Sequence, residues 1–318
     1  MAQTTWGWLV IIYLFLGGLG AGAFLTAALF ELTGWRYQRD FCPVTLTGAC
    51  ISGPAVAIGS ALLILDLGAA KGEPWRIFNM FTQFDSVMTW GIWILSLFIP
   101  LGLFYAFLEL VEVEPFLKGF VWSRMPWILP RVRPWRRRVA IVGSLFALAT
   151  AIYTGVLISA VGPAIPLWSQ PILPFLPIPL MPLLFLVSAV STGLALTFDL
   201  AATIASPHIH EQVRAMPLIH ILLIGVENVL IGLLFISALS SGGAAAESAR
   251  LVMYGPLRVI FWVGVVLIGL VYPFVVHAYA IGARRHSLAS GIGSGVGIVV
   301  AGLFLRYLII TAGIPAFL

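Results

Sequence analysis

The run from Trp6 to Phe30 holds 25 residues without a single charge. At ~1.5 Å per helical residue that length crosses a hydrocarbon core of ~30 Å. Its middle reads Tyr13-Leu-Phe-Leu-Gly-Gly-Leu-Gly-Ala-Gly-Ala23. The glycines of Gly18-Leu-Gly20-Ala-Gly22 imitate a phosphate loop in letters only, because no polar βαβ unit surrounds them. Gly18 and Gly22 stand four apart on one helix face, with Gly17 and Ala21 beside them. Small residues at that spacing let a second backbone approach closely. The plain reading of the stretch is a packing face. The sharper reading is that Tyr13, above the glycines, lines a pocket which this packing shapes.

The same signal recurs throughout the sequence. Of 318 residues, 61% are hydrophobic and only 9% charged, the composition of a polytopic membrane protein. The start has no basic n-region and its apolar run is too long for a signal peptide, so it reads as a retained span. Eight spans are expected, at about 6–30, 44–66, 86–108, 139–161, 180–204, 218–240, 257–281 and 290–312. The fold class is therefore all-α, a single polytopic domain over 1–318, with two four-helix bundles as the expected arrangement. No interval between spans is long enough for a soluble domain.

Lys and Arg set the orientation. One set of loops carries Arg36, Arg39, Lys118, Arg124, Arg131, Arg133, Arg136, Arg137, Arg138, Arg214, Arg284 and Arg285, which is 12. The other carries Lys71, Arg76, Arg250 and Arg258, which is 4, and Arg306 lies within the last span. The basic side is expected to be cytoplasmic, with both termini outside. The Trp135-Arg-Arg-Arg138 run then meets anionic headgroups of the bilayer rather than nucleic acid.

Cys42 and Cys50 are too few for an iron–sulfur cluster, which usually takes four ligands, and no CxxC occurs. They read as small apolar residues. The outward loops are more distinctive. One contains Asp66 and the stretch Glu73-Pro-Trp75-Arg76, and leads to Phe84-Asp-Ser86 before the third span. The other, Gly162 to Pro179, is uncharged and proline-rich, hence extended and stiff. With no soluble domain in the protein, both suggest a docking surface for another subunit, with Trp75, Arg76 and Trp168 as contacts. Helix capping by Asp85 or Ser86 and interfacial anchoring by the tryptophans are the plainer alternatives.

Ionisable groups within spans are costly and face a bundle interior or cavity. Tyr13, Asp66, Tyr153, Thr154 and Arg306 fall in the outer part. This set suits a quinone, whose carbonyls need hydrogen-bond donors and whose chemistry needs a proton exchanger near water. Tyr153 can donate, and Asp66 can exchange protons. Local capping or pairing of Asp66 is the alternative. Asp199, His220, Glu227 and His277 fall in the inner part. Asp199, Glu227 and His220 could form a proton path, or pair within the bundle. His220 and His277 could instead be axial haem ligands. No metal site is otherwise suggested.

These residues resemble a family. Tyr13-Leu-Phe-Leu-Gly-Gly-Leu-Gly-Ala-Gly22, Leu65-Asp-Leu-Gly68 leading to Pro74-Trp-Arg76, Ser86-Val-Met-Thr-Trp-Gly91, Tyr153-Thr-Gly155, Pro166-Leu-Trp168, Ser188-Ala-Val-Ser-Thr-Gly193 and Leu305-Arg306 look like the polysulfide reductase membrane-subunit (NrfD) family. The likeness runs through nearly the whole sequence. It implies an eight-helix anchor in a prokaryotic inner membrane, exchanging electrons between the quinone pool, with menaquinone expected, and an outward-facing four-cluster iron–sulfur protein. That partner would connect to a molybdopterin subunit or a multihaem cytochrome. The anchor itself would carry neither haem nor cluster, and terminal substrate chemistry would lie on another subunit. The resemblance makes Tyr153 the quinone hydrogen-bond partner and aligns Asp66 with the aspartate ending span two. One departure stands out. Relatives place His and Asn in span one near the quinone, whereas no His or Asn occurs here before Asn79, so Tyr13 is expected to stand in.

The expected function is thus the quinol-oxidising or quinone-reducing subunit of a respiratory complex. A proton or ion transporter is a competing class, although no internal repeat of the kind common in transporters is visible. A di-haem cytochrome b anchor is a third.

Overall fold

The computed structural model describes residues 6–37, 42–66, 81–173, 176–204, 216–283 and 288–316. Eight helices among them are long and apolar enough to cross a membrane. They comprise α1 (Trp8–Thr33), α2 (Cys42–Asp66), α3 (Val87–Val113), α5 (Val132–Ser159), α6 (Met181–Ile204), α7 (Met216–Ser241), a seventh span and α10 (Leu288–Thr311). The seventh span is wound as a π-helix over Ile260–Val271 and continues as α9 (Tyr272–Ala283). Two short helices, α4 (Pro115–Arg124) and α8 (Gly243–Met253), lie between spans. The only strands among the described residues form a small antiparallel hairpin, β1 (Pro171–Leu173) with β2 (Leu176–Pro179). The fold is that of an all-α, multi-pass membrane protein.

The first span is the most enclosed, with 72% of its most apolar stretch buried. It lies against α2, α5, α6 and α10. Glycine makes this possible. A Cβ on Gly22 would fall 1.9 Å from the Ala189 carbonyl oxygen, and one on Gly193 would fall 2.2 Å from the Gly22 carbonyl carbon. The α1 and α6 backbones therefore touch, which is what small residues permit between helices in lipid. Gly20 faces the other way, toward Ser52 and Val56 of α2. The packing-face reading of this stretch describes its contacts.

Two span boundaries differ from expectation, for one reason. The third span was expected to end near 108 but runs to Val113, and the fourth was expected from 139 but begins at Val132. Both extensions carry charged residues, Glu109 and Glu112 in one and Arg136 in the other. Charge reads as loop in a hydropathy profile, but these groups neutralise one another inside the bundle, so the helices continue. Pro134 lies in the first turn of α5, where a missing N–H costs no helical bond. Pro115 ends α3 by holding Glu114 extended, at φ −90° and ψ 114°.

Candidate functional site

Near the end that carries Trp6, three of the expected quinone residues converge. Tyr13 is fully buried and Tyr153 is 5% exposed. Their phenols interact with each other. The Tyr13 hydroxyl nevertheless has no hydrogen bond of ordinary geometry. Thr154 completes the group, but its hydroxyl is committed, donating to the Ala151 carbonyl at 2.7 Å. It presents its methyl toward Gly17 instead. Gly91 of α3 makes room for the Tyr153 ring, because a Cβ there would fall 1.7 Å from Cζ. The glycine closing Ser86-Val-Met-Thr-Trp-Gly91 thus seats the tyrosine of Tyr153-Thr-Gly155.

Asp66 stands apart from this pair. Gly59 of α2 is level with Tyr13, next to its carbonyl oxygen. Seven further residues carry α2 about 10 Å beyond that level, to Asp66 at its exposed last position. The tyrosines are deep, and the carboxylate is at the exposed end of its helix.

Arg306 is fully buried within α10. It donates to the carbonyls of Leu14 (3.1 Å) and Gly302 (2.8 Å) and to the Ser188 hydroxyl (3.1 Å). Phe185 lies under its guanidinium, 5.2 Å from charge to ring centre. Ser188 also reaches Glu227, whose charge faces Arg306. The sequence placed Arg306 and Glu227 in different halves of the membrane, and the structure joins them through Ser188. The other inner residues form a second group. His220 stacks on His277 with ring centres 4.6 Å apart and planes 11° from parallel. His277 Nε2 lies 3.4 Å from Ser294 Oγ, and Asp199 abuts the next residue, Gly295. Rings stacked so closely leave no space between them for a porphyrin, so this arrangement does not support paired axial ligation of one haem. No cluster of His, Cys, Asp or Glu suited to a metal occurs among the described residues.

The family described as "Polysulphide reductase, NrfD" matches residues 1–317. The protein belongs to this family. It is 30% identical to the C subunit of polysulfide reductase from Wolinella succinogenes, over 97% of its own length and 94% of that relative. It is 28% identical to protein NrfD of Escherichia coli and 27% identical to the NrfD homolog of Haemophilus influenzae, with the same coverage.

At its arginine-rich end this NrfD-family protein contains a network that sequence reasoning missed. Arg36 and Arg136, counted above as loop charges, are 4% and 0% exposed. Arg136 Nε lies 2.9 Å from Glu31, and its Nη1 pairs with Glu112. Arg36 pairs with Glu109, lies 3.0 Å from Glu112 and 3.6 Å from Glu31. Burial works against the charge of Arg36, but Glu109 and Glu31 outweigh it and hold the guanidinium above its ordinary value. The available signal was the i, i+3 pair Glu109 and Glu112 in an apolar context, with Glu31 five residues before Arg36.

The reading of the 162–179 loop also needs correction. Trp168, expected to face a partner, is fully buried. Its Nε1 donates to the Ile309 carbonyl at 2.7 Å, and its ring lies 5.3 Å from that of Trp6. Gln170 donates to Pro166 and accepts from Ser237 and Ser241, pinning the loop to α7. An indole satisfies its N–H when buried, and here a carbonyl in the last turn of α10 supplies the acceptor. Trp75 and Arg76 lie outside the described residues.

Proposed function

We propose that this protein is the quinone-reactive membrane subunit of a respiratory oxidoreductase in a prokaryotic inner membrane. The observation that carries the reading is the buried Tyr13 hydroxyl, which faces Tyr153 but makes no hydrogen bond of ordinary geometry. A buried hydroxyl without a partner is unfavourable by about 1–3 kcal/mol, and a quinone carbonyl would supply the missing acceptor. The residues present therefore fit the group. A bound quinol supplies two electrons and releases two protons on oxidation.

Tyr13 and Tyr153 hold the headgroup, with Gly91 and Gly17 fixing the two rings. Thr154 and the apolar faces around it exclude water. Asp66, about 10 Å nearer the surface, passes protons to the aqueous phase. Tyr13 fills the role that the missing span-one His and Asn play in relatives. Menaquinone is the proposed quinone, and quinol oxidation the proposed direction. Electrons leave to an iron–sulfur subunit at the end bearing Trp6 and the 162–179 loop, and from it to a molybdopterin subunit or a multihaem cytochrome. The names of the relatives, a subunit of polysulfide reductase among them, support such an assembly. Trp168 acts there by pinning the loop, and the hairpin residues above it make the contact. Asp199 and His220 form one polar station and Glu227 with Arg306 another, two helical turns apart along α7, and proton movement between them is part of the proposal.

The test is quinol-dependent reduction of the intact complex in liposomes. Tyr153→Phe should weaken quinol affinity several-fold. Asp66→Asn should lower turnover with little change in affinity, since it removes a proton exchanger and keeps the shape. Wild-type kinetics for both variants would remove the site from this corner of the bundle.

A further inference from the structure

Beside the buried charge network, a groove of about 540 Å³ opens between the end of α1 and the start of α5. Its walls include Glu31, Tyr37, Arg133, Arg137, Arg138 and Ile141. Glu31 is already held by Arg36 and Arg136, so the wall that faces a ligand is cationic. Arg137 and Arg138 are exposed, and among the described residues neither has an ion-pair partner. Arg133 is fixed in place. Its guanidinium lies 4.5 Å above the Tyr37 ring, and its Nε donates to the Tyr37 hydroxyl at 3.2 Å. Guanidinium forks match phosphate oxygens in geometry as well as charge.

Depth and shape narrow the ligand. The first span ends at Thr33, so the groove lies where the headgroups of that leaflet begin. Leu32 and Ile141, 38% and 50% exposed, continue its wall toward the hydrocarbon. A free phosphate would use the arginines and leave that apolar wall bare. A phospholipid would use both.

We propose that this groove binds the phosphate headgroup of an anionic phospholipid, held by Arg133, Arg137 and Arg138, with an acyl tail along Leu32 and Ile141. The lipid braces α1 against α5 at the point where their buried ion pairs meet, because Glu31 and Tyr37 belong to both the groove and the network.

The experiment uses the full-length protein, delipidated in neutral detergent. Native mass spectrometry follows titration with phosphatidylglycerol, diphosphatidylglycerol and phosphatidylcholine. An anionic lipid should bind with at least roughly tenfold preference, the equivalent of about 1.4 kcal/mol. Arg133→Gln/Arg137→Gln/Arg138→Gln should abolish the preference. Lys118→Gln/Arg124→Gln, which removes two charges from the same side of the protein outside the groove, should keep it. Millimolar inorganic phosphate should not displace the lipid. Equal binding of all three lipids, an unchanged preference in the triple variant, or displacement by phosphate would each overturn the proposal, the last by making the groove a free-phosphate site. A wild-type reading guards against a triple variant that does not fold. Phosphatidylglycerol should raise the melting temperature by several degrees more than phosphatidylcholine does, and equal effects would overturn the assignment.

Discussion

Replacing Tyr13 with Phe should move stability and quinone binding in opposite directions. The Tyr13 ring is fully buried and its hydroxyl has no hydrogen bond of ordinary geometry. A buried unpaired hydroxyl is unfavourable by about 1–3 kcal/mol. The neighbouring Tyr153 phenol offsets part of this, which argues for the low end, about 1 kcal/mol. Phe removes one oxygen and keeps the ring against Gly17 and Thr154. Quinone-free protein carrying Tyr13→Phe should therefore melt slightly higher than wild type. Binding should weaken, because a hydrogen bond to the headgroup is lost. At about 0.5–1.5 kcal/mol net, that is roughly a two- to twelve-fold drop in affinity. Thermal unfolding in detergent without quinone reads the first effect, and quinone titration of the reconstituted complex reads the second. A less stable variant would show that the hydroxyl has a structural partner. Unchanged quinone affinity would refute its contact with the headgroup.

Arg136→Leu removes one of the two guanidinium groups that neutralise the buried Glu31 and Glu109 and leaves Arg36 alone to face both, so it should destabilise by up to about 3–5 kcal/mol, read as a fall in melting temperature and in solubilised yield. A wild-type melting temperature would show that the network contributes little. Glu227→Gln keeps the contact with Ser188 but removes the charge facing Arg306; quinol oxidation should persist while proton translocation by reconstituted complex falls, and unchanged translocation would take Glu227 out of any path. A reporter fused after Leu318 that works only outside the cytoplasm should be active, as the 12-to-4 basic asymmetry requires, and activity of a cytoplasm-only reporter would invert the orientation.

The eight spans were legible in the sequence because insertion into lipid is decided by the apolar content of each contiguous stretch. The glycine face of α1 was legible too, since spacing along one helix is a local property. The lateral arrangement was not. Lipid tails are as apolar as the bundle interior, so a uniformly hydrophobic helix carries little sign of which face turns inward. That ambiguity hid the burial of Trp168, whose acceptor on Ile309 is 141 residues away, and the meeting of Arg306 with Glu227 through Ser188. It also hid the charge network. Arg36, Glu109 and Arg136 each look like interfacial residues in isolation, and each becomes tolerable at depth only because the others arrive from neighbouring helices. Local chemistry alone determined which segments cross the membrane and which residue types they bring. Tertiary packing decided which of those residues face each other, because pairing between helices depends on their rotation and crossing, and no single stretch of sequence encodes either.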